Sequence, residues 1–350
     1  LIVLMCTAVT TAVLPLMFAV SAYCCGEAFL FLPILLFLQG KYNVMNSNDK
    51  DIRCNSLRAW FLAVRPKTLT GAATPVIVAG ALSALHMHGS ETCFPVVPFM
   101  LCLLFAWVMQ VAANFVNDWY DYRRGTDSDG RLGPRRACAS GWVTPRAMLA
   151  ATCIAIFLAA LVGLPLVLYG GWPMIAVGAA CILFCVLYTT FFSYHGLGDI
   201  LVLLFFGIVP VGVTYYLLTA STDFSVLSVG IGTGLVVDCL LIVNNYRDRF
   251  TDAACGKHTI VVKLGGKWAE RLYLVCGVAG ICSAMPLFMQ MGWWPALFML
   301  PYLFLHFTAW RKMVAIRQGR ALNAILGETA RNIFVFGISL AVALLSACCL

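Results

Sequence analysis

Along the chain, long runs of apolar residues alternate with short polar stretches, and the runs show neither the period of two of a half-buried strand nor the polar face of a surface helix. Runs such as 149–168 and 201–218 are apolar on nearly every face. That pattern fits helices immersed in lipid and excludes a transmembrane barrel, whose strands alternate polar and apolar residues. A spanning helix needs about 20 apolar residues. The pattern predicts nine such helices, at 70–87, 95–113, 147–169, 172–191, 200–219, 224–243, 272–289, 293–309 and 334–349. The expected fold is all-α, a polytopic membrane protein of nine transmembrane helices.

Composition agrees: at 62% hydrophobic and 11% charged residues, the 350-residue chain is too apolar to cover itself with a water-soluble surface, so membrane lipid is its solvent. The distribution of charge then sets the orientation. Every Lys and Arg after Lys41 falls on the side of the N-terminal segment and the loops after the even-numbered helices, or at the helix ends there. The positive-inside rule makes that side cytoplasmic. The net charge of +8 therefore reflects topology and anionic headgroups or substrates, and no basic patch suits nucleic acid.

Two features change the picture less. The sixteen cysteines lie mostly in apolar runs without a zinc-type pairing, and read as small packing residues. Residues 1–44 form an apolar extension that begins with Leu, and the polar segment opening at Met45 has the character of a start, which makes 45–350 a single transmembrane domain. Two extra helices, or a signal peptide without a basic n-region, are the other readings of 1–44. An even number of added helices leaves the remaining topology unchanged.

The chemistry lies in the polar loops. Asn114, Asn117, Asp118 and Asp121 fall at i, i+3, i+4 and i+7 and share one helix face, with Asp127 and Asp129 following a Gly125-Thr126 turn. Four helices later the pattern recurs: Asn244 and Asn245 precede Asp248 and Asp252, which are one helical turn apart. Grouped carboxylates suit a hard cation, and magnesium held through few carboxylates leaves positions for phosphate oxygens, so magnesium diphosphate is the natural ligand. Arg135, Arg136, Arg247 and Lys257 are near in sequence and suited to phosphate oxygens. Taken singly, Asp and Asn at helix ends are more often caps; the repeated design on one membrane side favours function. Asp238 inside helix six is a candidate cavity acid or buried partner, and Asp199 after Gly198 is a candidate cap or pocket residue. Gly230, Gly232 and Gly234 follow no strand and read as helix packing.

At these residues the chain resembles the UbiA superfamily of membrane prenyltransferases, most closely its menaquinone branch. The matching segments are Arg65-Pro66-Lys67-Thr68-Leu69, Asn117-Asp118 with Asp121 and Gly125-Thr126-Asp127, Arg131-Leu132-Gly133-Pro134, Tyr194-His195-Gly196-Leu197-Gly198-Asp199, Asn244-Asn245-Tyr246-Arg247-Asp248 with Asp252, Gly256-Lys257-His258-Thr259 and Ala321-Leu322-Asn323. The resemblance implies nine helices around a central cavity, in a bacterial inner membrane with the active site facing the cytoplasm. It implies Mg2+ held by Asp118, Asp121, Asp127, Asp248 and Asp252. Of these, Asp118, Asp121, Asp248 and Asp252 are the catalytic set. Asn117, Arg65, Lys67, Arg136, Asn245, Lys257 and Tyr188 would bind substrate. The implied reaction joins the prenyl chain of a polyprenyl diphosphate to 1,4-dihydroxy-2-naphthoate with loss of carbon dioxide. Trp119, Tyr120 and Tyr246 are candidate walls for the allylic cation. The third acid of the first motif stands at Asp127 instead of four residues after Asp121, as in the menaquinone branch, and the loop after helix four carries no Lys or Arg. Other aromatic acceptors such as 4-hydroxybenzoate are the rival within the family. A secondary transporter is the rival outside it, and would place its acids near the bilayer midplane.

Overall fold

The computed structural model describes residues 52–125 and 131–349, so residues 1–44, Met45, Asp127 and Asp129 lie outside the described residues. Helix α1 (Leu57–Val64) starts where the Ser56 hydroxyl accepts the Ala59 amide. It ends at Arg65, whose left-handed backbone turns the chain directly into α2 (Pro66–Met87). Then follow α3 (Val96–Arg124), α4 (Pro145–Gly170), α5 (Pro173–His195), α6 (Gly198–Thr219), α7 (Phe224–Ala254), the short α8 (Ile260–Leu264) and α9 (Gly266–Met291). Helix α10 runs over 294–316, a six-residue 3-10 turn continued by 17 α-helical residues. Helix α11 is Leu322–Ser346.

Eight of these are long and apolar enough to cross a membrane by themselves. The ninth expected span is α10, whose opening turn is wound too tightly to count as α-helix. The expected boundaries fail in one systematic way. Helices α3 and α7 do not stop at 113 and 243 but run through their Asn/Asp motifs, reaching 29 and 31 residues. At about 1.5 Å per residue both exceed the roughly 30 Å hydrocarbon core, so their polar C-terminal turns stand beyond it. Helix α11 likewise begins at Leu322, twelve residues before the expected 334, because its polar first turns face protein.

The helices close a ring: α2 packs on α3, α6 and α11, α3 on α4 and α5, α6 on α7, α7 on α9 and α11, and α10 on both α9 and α11. Helices α2, α7 and α11 are the most buried, whereas α5 is almost wholly peripheral. Phe157, Leu161, Leu168, Ile175 and Phe304 are exposed apolar side chains on the outer surface, as an integral membrane protein requires. The glycines of α7 pack as expected. A Cβ on Gly207 would meet the Gly230 carbonyl oxygen at 2.4 Å, one on Gly234 the Leu203 carbonyl oxygen at 2.8 Å, and one on Gly232 the Ser283 Oγ at 1.8 Å. Helices α6 and α7 therefore touch backbone to backbone, and α6 widens into a π turn at Leu204–Ile208 there.

Candidate active site

A cavity of about 560 Å³ opens where the polar ends of α3 and α7 face each other. Its wall includes Asn117 and Asp121 from α3, Asn244, Asn245, Asp248 and Asp252 from α7, and Arg65 and Lys67 at the start of α2. Arg136, Lys257 and Tyr188 join them. All of the expected substrate-binding residues thus meet at one site, together with three of the four acids expected to be catalytic.

Asp118, expected as a metal ligand, is the exception: the structure turns it away from the cavity. Its side chain is 1% exposed and is absent from the cavity wall. Its Oδ2 accepts the Ala137 amide at 2.9 Å and its Oδ1 the Cys138 amide at 2.8 Å, with the Arg65 guanidinium 3.6 Å away. One residue along a helix is a rotation of about 100°, enough to carry Asp118 from the wall shared by Asn117 and Asp121 into the packing behind it. There it pins the loop that presents Arg136. Asn114 is also structural, donating to the Val64 carbonyl and the Thr68 hydroxyl at 2.9 Å each.

Asp121, Asp248 and Asp252 on the wall each hold a cation. Arg136 lies 2.5 Å from Asp121 and also donates to the Asn117 carbonyl. Arg247, 1% exposed, donates through Nε to Asp248 Oδ1 at 2.8 Å and through Nη2 to Oδ2 at 2.5 Å. Lys257 stands 3.7 Å from Asp252, whose Oδ2 is buried without a hydrogen-bond partner. Among the described residues no three acidic, His or Cys side chains form a ready-made metal cluster. The donor set nevertheless fits a hard divalent cation that brings phosphate oxygens with it, since such a metal needs only one or two carboxylates from the protein. The basic partners then have phosphate oxygens to exchange onto.

Second contacts fix these groups. Arg247 Nη1 donates to Asn323 Oδ1 at 2.8 Å, Asn323 Nδ2 donates to the Leu132 carbonyl at 2.8 Å, and Arg247 Nη2 donates to Asn244 Oδ1 at 2.8 Å. A Cβ on Gly133 would lie 2.7 Å from Arg247 Nη2, so only glycine lets the loop approach this closely. On the other side, the His258 amide donates to the Tyr194 carbonyl at 3.0 Å. Gly196, at φ +78°, lies so near that a Cβ would sit 2.4 Å from the His258 oxygen. The α5–α6 turn is thereby held against the chain that follows Asp252.

Sequence reasoning missed Thr189, whose hydroxyl donates to Asn117 Oδ1 at 2.6 Å; it stands in an apolar run, inside a π turn at Tyr188–Phe192 that nothing in the local sequence announces. Asn323 was visible only as part of a matched segment. The aromatic candidates are also corrected: Trp119, Tyr120 and Tyr246 do not line the cavity, whereas Tyr188 and Tyr194 do. Tyr246 instead donates to Glu270 Oε1 at 2.6 Å.

Known proteins share this organisation. The UbiA homolog from Aeropyrum pernix K1, solved in its apo form, superposes with a TM-score of 0.58 at 14% identity, covering 77% of this chain and 96% of that one; the likeness is one of fold. The 1,4-dihydroxy-2-naphthoate octaprenyltransferase of Haemophilus influenzae is 34% identical over 261 residues, 70% of this chain and 82% of that protein. The protein of the same name from Mycobacterium tuberculosis is 34% identical over 293 residues, 83% of this chain and 97% of its own. The pattern of the UbiA prenyltransferase family matches residues 73–326, from within α2 to the first turns of α11, and so takes in both cavity-lining corners. Prenyltransferases of this family generally bind diphosphate through a divalent metal, the chemistry for which the paired carboxylates and cations are suited. This chain belongs to the UbiA prenyltransferase family.

Proposed function

We propose that the protein transfers a polyprenyl group from polyprenyl diphosphate to 1,4-dihydroxy-2-naphthoate, releasing diphosphate and carbon dioxide and giving demethylmenaquinol, a step of menaquinone biosynthesis. The observation that carries this reading is one cavity in which Asp121, Asp248 and Asp252 from two long helices each hold a cation. Relatives named for this reaction, 34% identical over most of their length, support the choice of acceptor.

In this reading Asp121, Asp248 and Asp252 bind the diphosphate through magnesium, with Asp127 as a further candidate ligand outside the described residues. Magnesium, when bound, supplies a Lewis acid that neutralises the charge growing on the leaving diphosphate. Arg136 and Lys257 turn from their carboxylates to the phosphate oxygens and stabilise the same charge. Asn117 and Asn245 present amide groups to the diphosphate, and Arg65 and Lys67, at the other lip, receive the acceptor carboxylate or the diphosphate. Tyr188 and Tyr194 offer ring faces to the allylic carbon as its bond to oxygen breaks. The apolar walls exclude the water that would otherwise capture it. In this reading the mouth faces the cytoplasm and the protein sits in a bacterial inner membrane, an orientation that the basic residues at these helix ends support.

The test is prenyl transfer by detergent-purified protein with polyprenyl diphosphate and either 1,4-dihydroxy-2-naphthoate or 4-hydroxybenzoate, with and without magnesium, read by mass spectrometry. Magnesium-dependent prenylation of the naphthoate with release of carbon dioxide is expected. Prenylation of the benzoate alone overturns the acceptor assignment.

A further inference from the structure

Behind the diphosphate corner lie two acids that the metal chemistry does not use. Asp199, in the first turn of α6, lines the same cavity while only 9% exposed, and Asp238, in the middle of α7, is 5% exposed. Each has a buried Oδ1 without a hydrogen-bond partner, and Asp238 lies within electrostatic reach of Asp199. Asp199 stands in the first turn of α6, behind an N-cap, Leu197, that makes no side-chain capping bond. The pair is no ready metal site either, since among the described residues no third acid, His or Cys joins it. Tyr188 of α5, Cys239 of α7 and Cys276 of α9 are the titratable side chains that feel one or both carboxylates.

Asp199 therefore differs from every other carboxylate of the cavity wall. Asp121, Asp248 and Asp252 are each held by a cation. Asp199 faces the same space with no cation on it. Its neighbour Gly198 lies against Leu241 and Tyr188 of the same wall, a Cβ there standing 3.4 Å from Leu241 Cδ2 and 3.8 Å from the Tyr188 hydroxyl. Asp238, on α7 and likewise unpartnered at Oδ1, is the second acid left unused.

We propose that Asp199, backed by Asp238, is the proton acceptor of the transfer. The proposal rests on the naphthoate reading. As the allylic carbon–oxygen bond breaks and its electron pair leaves with diphosphate, the ring carbon bearing the carboxylate bonds the allylic carbon. The proton of the adjacent phenolic hydroxyl passes to the Asp199 carboxylate, and the O–H pair becomes the second bond of a ketone. The carboxylate now sits β to that ketone. Its C–C bond breaks, carbon dioxide departs, and the released pair restores the ring double bond while the ketone oxygen recovers its proton from Asp199. No oxidant or net proton is required, and the acid ends the cycle as it began.

The experiment uses the full-length protein in detergent and compares wild type with Asp199→Asn in two measurements: magnesium-dependent binding of polyprenyl diphosphate, and transfer to 1,4-dihydroxy-2-naphthoate across a range of pH. Wild-type transfer is measured first, so a failure of the naphthoate reading shows there, before any variant is involved. For Asp199→Asn we expect binding within about threefold of wild type and transfer lower by about 10²–10⁴-fold, the usual worth of a positioned base. The deficit should narrow at high pH, where the acceptor's phenol ionises unaided. Transfer at the wild-type rate overturns the proposal, as does a parallel loss of diphosphate binding, which would make Asp199 part of the metal corner. If the amide variant does not fold, Asp199→Glu carries the test: it should bind diphosphate normally and transfer more slowly, and either an unchanged rate or lost binding overturns the assignment.

Discussion

The two polar corners look like copies in sequence and are used differently in space. In α7, Asn244 and Asp248 are four residues apart and Asp252 follows after four more, and all three line the cavity. In α3 the matching pair is Asn117 and Asp121, also four apart and also on the wall. Asp118 corresponds to Asn245, yet Asn245 reaches the cavity while Asp118 is turned into the protein and saturated by two backbone amides. A carboxylate in a motif is thus not automatically a ligand. The i, i+4 stripe marks the functional face, and the residue beside it is free to become an anchor.

The largest effect should come from the stripe itself. Asp252→Ala removes a wall carboxylate with an unpartnered buried oxygen and leaves Lys257 without its anion. We expect transfer to fall by about 10³-fold, some 4 kcal/mol of transition-state stabilisation, together with magnesium-dependent binding of polyprenyl diphosphate; calorimetry or ligand-induced thermal shift reads the second. Asp118→Ala should break the comparison in the opposite sense. It strands the Ala137 and Cys138 amides, at about 1–3 kcal/mol for each buried donor left unpaired. The variant should unfold several degrees earlier in detergent, while lipid or ligand that restores the fold also restores diphosphate binding. An Asp118→Ala protein as stable as wild type, yet unable to bind diphosphate, would return that residue to the metal site.

How much of this could be read in advance divides along physical lines. Apolar runs follow from the bilayer's thickness alone, so the eight membrane-length helices of the described residues were legible, as was α10 with its irregular start. The ends were not: α3 and α7 carry helical hydrogen bonding through polar residues, and hydropathy stops where helices need not. Which residues gather at the mouth was legible because Asn117, Asp121, Asp248 and Asp252 are spaced for one face. The 100° that separates Asp118 from that face could be computed, but the loop amides that claim it come from 19 and 20 residues further on. Thr189 could not be found at all, since a π turn changes the register of α5. Trp119, Tyr120 and Tyr246 were misassigned for a related reason: each adjoins a motif residue in sequence and points off its face.

An intermediate effect is expected where the two corners are tied together. Asn323 joins Arg247 of the second corner to Leu132 in the loop that leads to Arg136 of the first. Asn323→Ala removes both bonds and leaves Arg247 Nη1, nearly fully buried, without that acceptor. A loss of about 1–3 kcal/mol is expected for a hydrogen bond to a buried charge, read as roughly a tenfold drop in kcat/KM for the prenyl diphosphate. Because the tie acts across corners, Asn323→Ala and Asp121→Asn should be non-additive in a double-mutant cycle. Strict additivity would mean the corners work independently.

The smallest effect sharpens the contrast between the two asparagines that head the stripes. Asn244 Oδ1 accepts from a guanidinium, Arg247 Nη2, whereas Asn117 Oδ1 accepts from the neutral hydroxyl of Thr189, which is 2% exposed. Bonds from charged donors are worth roughly twice those from neutral ones. Thr189→Val keeps the shape and removes only the hydroxyl, so the side-chain orientation of Asn117 should loosen without a cavity forming. The cost should be about 1 kcal/mol, appearing as an approximately fivefold rise in KM for the prenyl diphosphate with kcat nearly unchanged, since the amide positions the ground-state diphosphate. Steady-state kinetics at saturating naphthoate decide it. A fall in kcat with KM unmoved would instead mean that Asn117 acts only in the transition state, and that the first corner, with a single acid described on its wall, carries more of the catalysis than its charge implies.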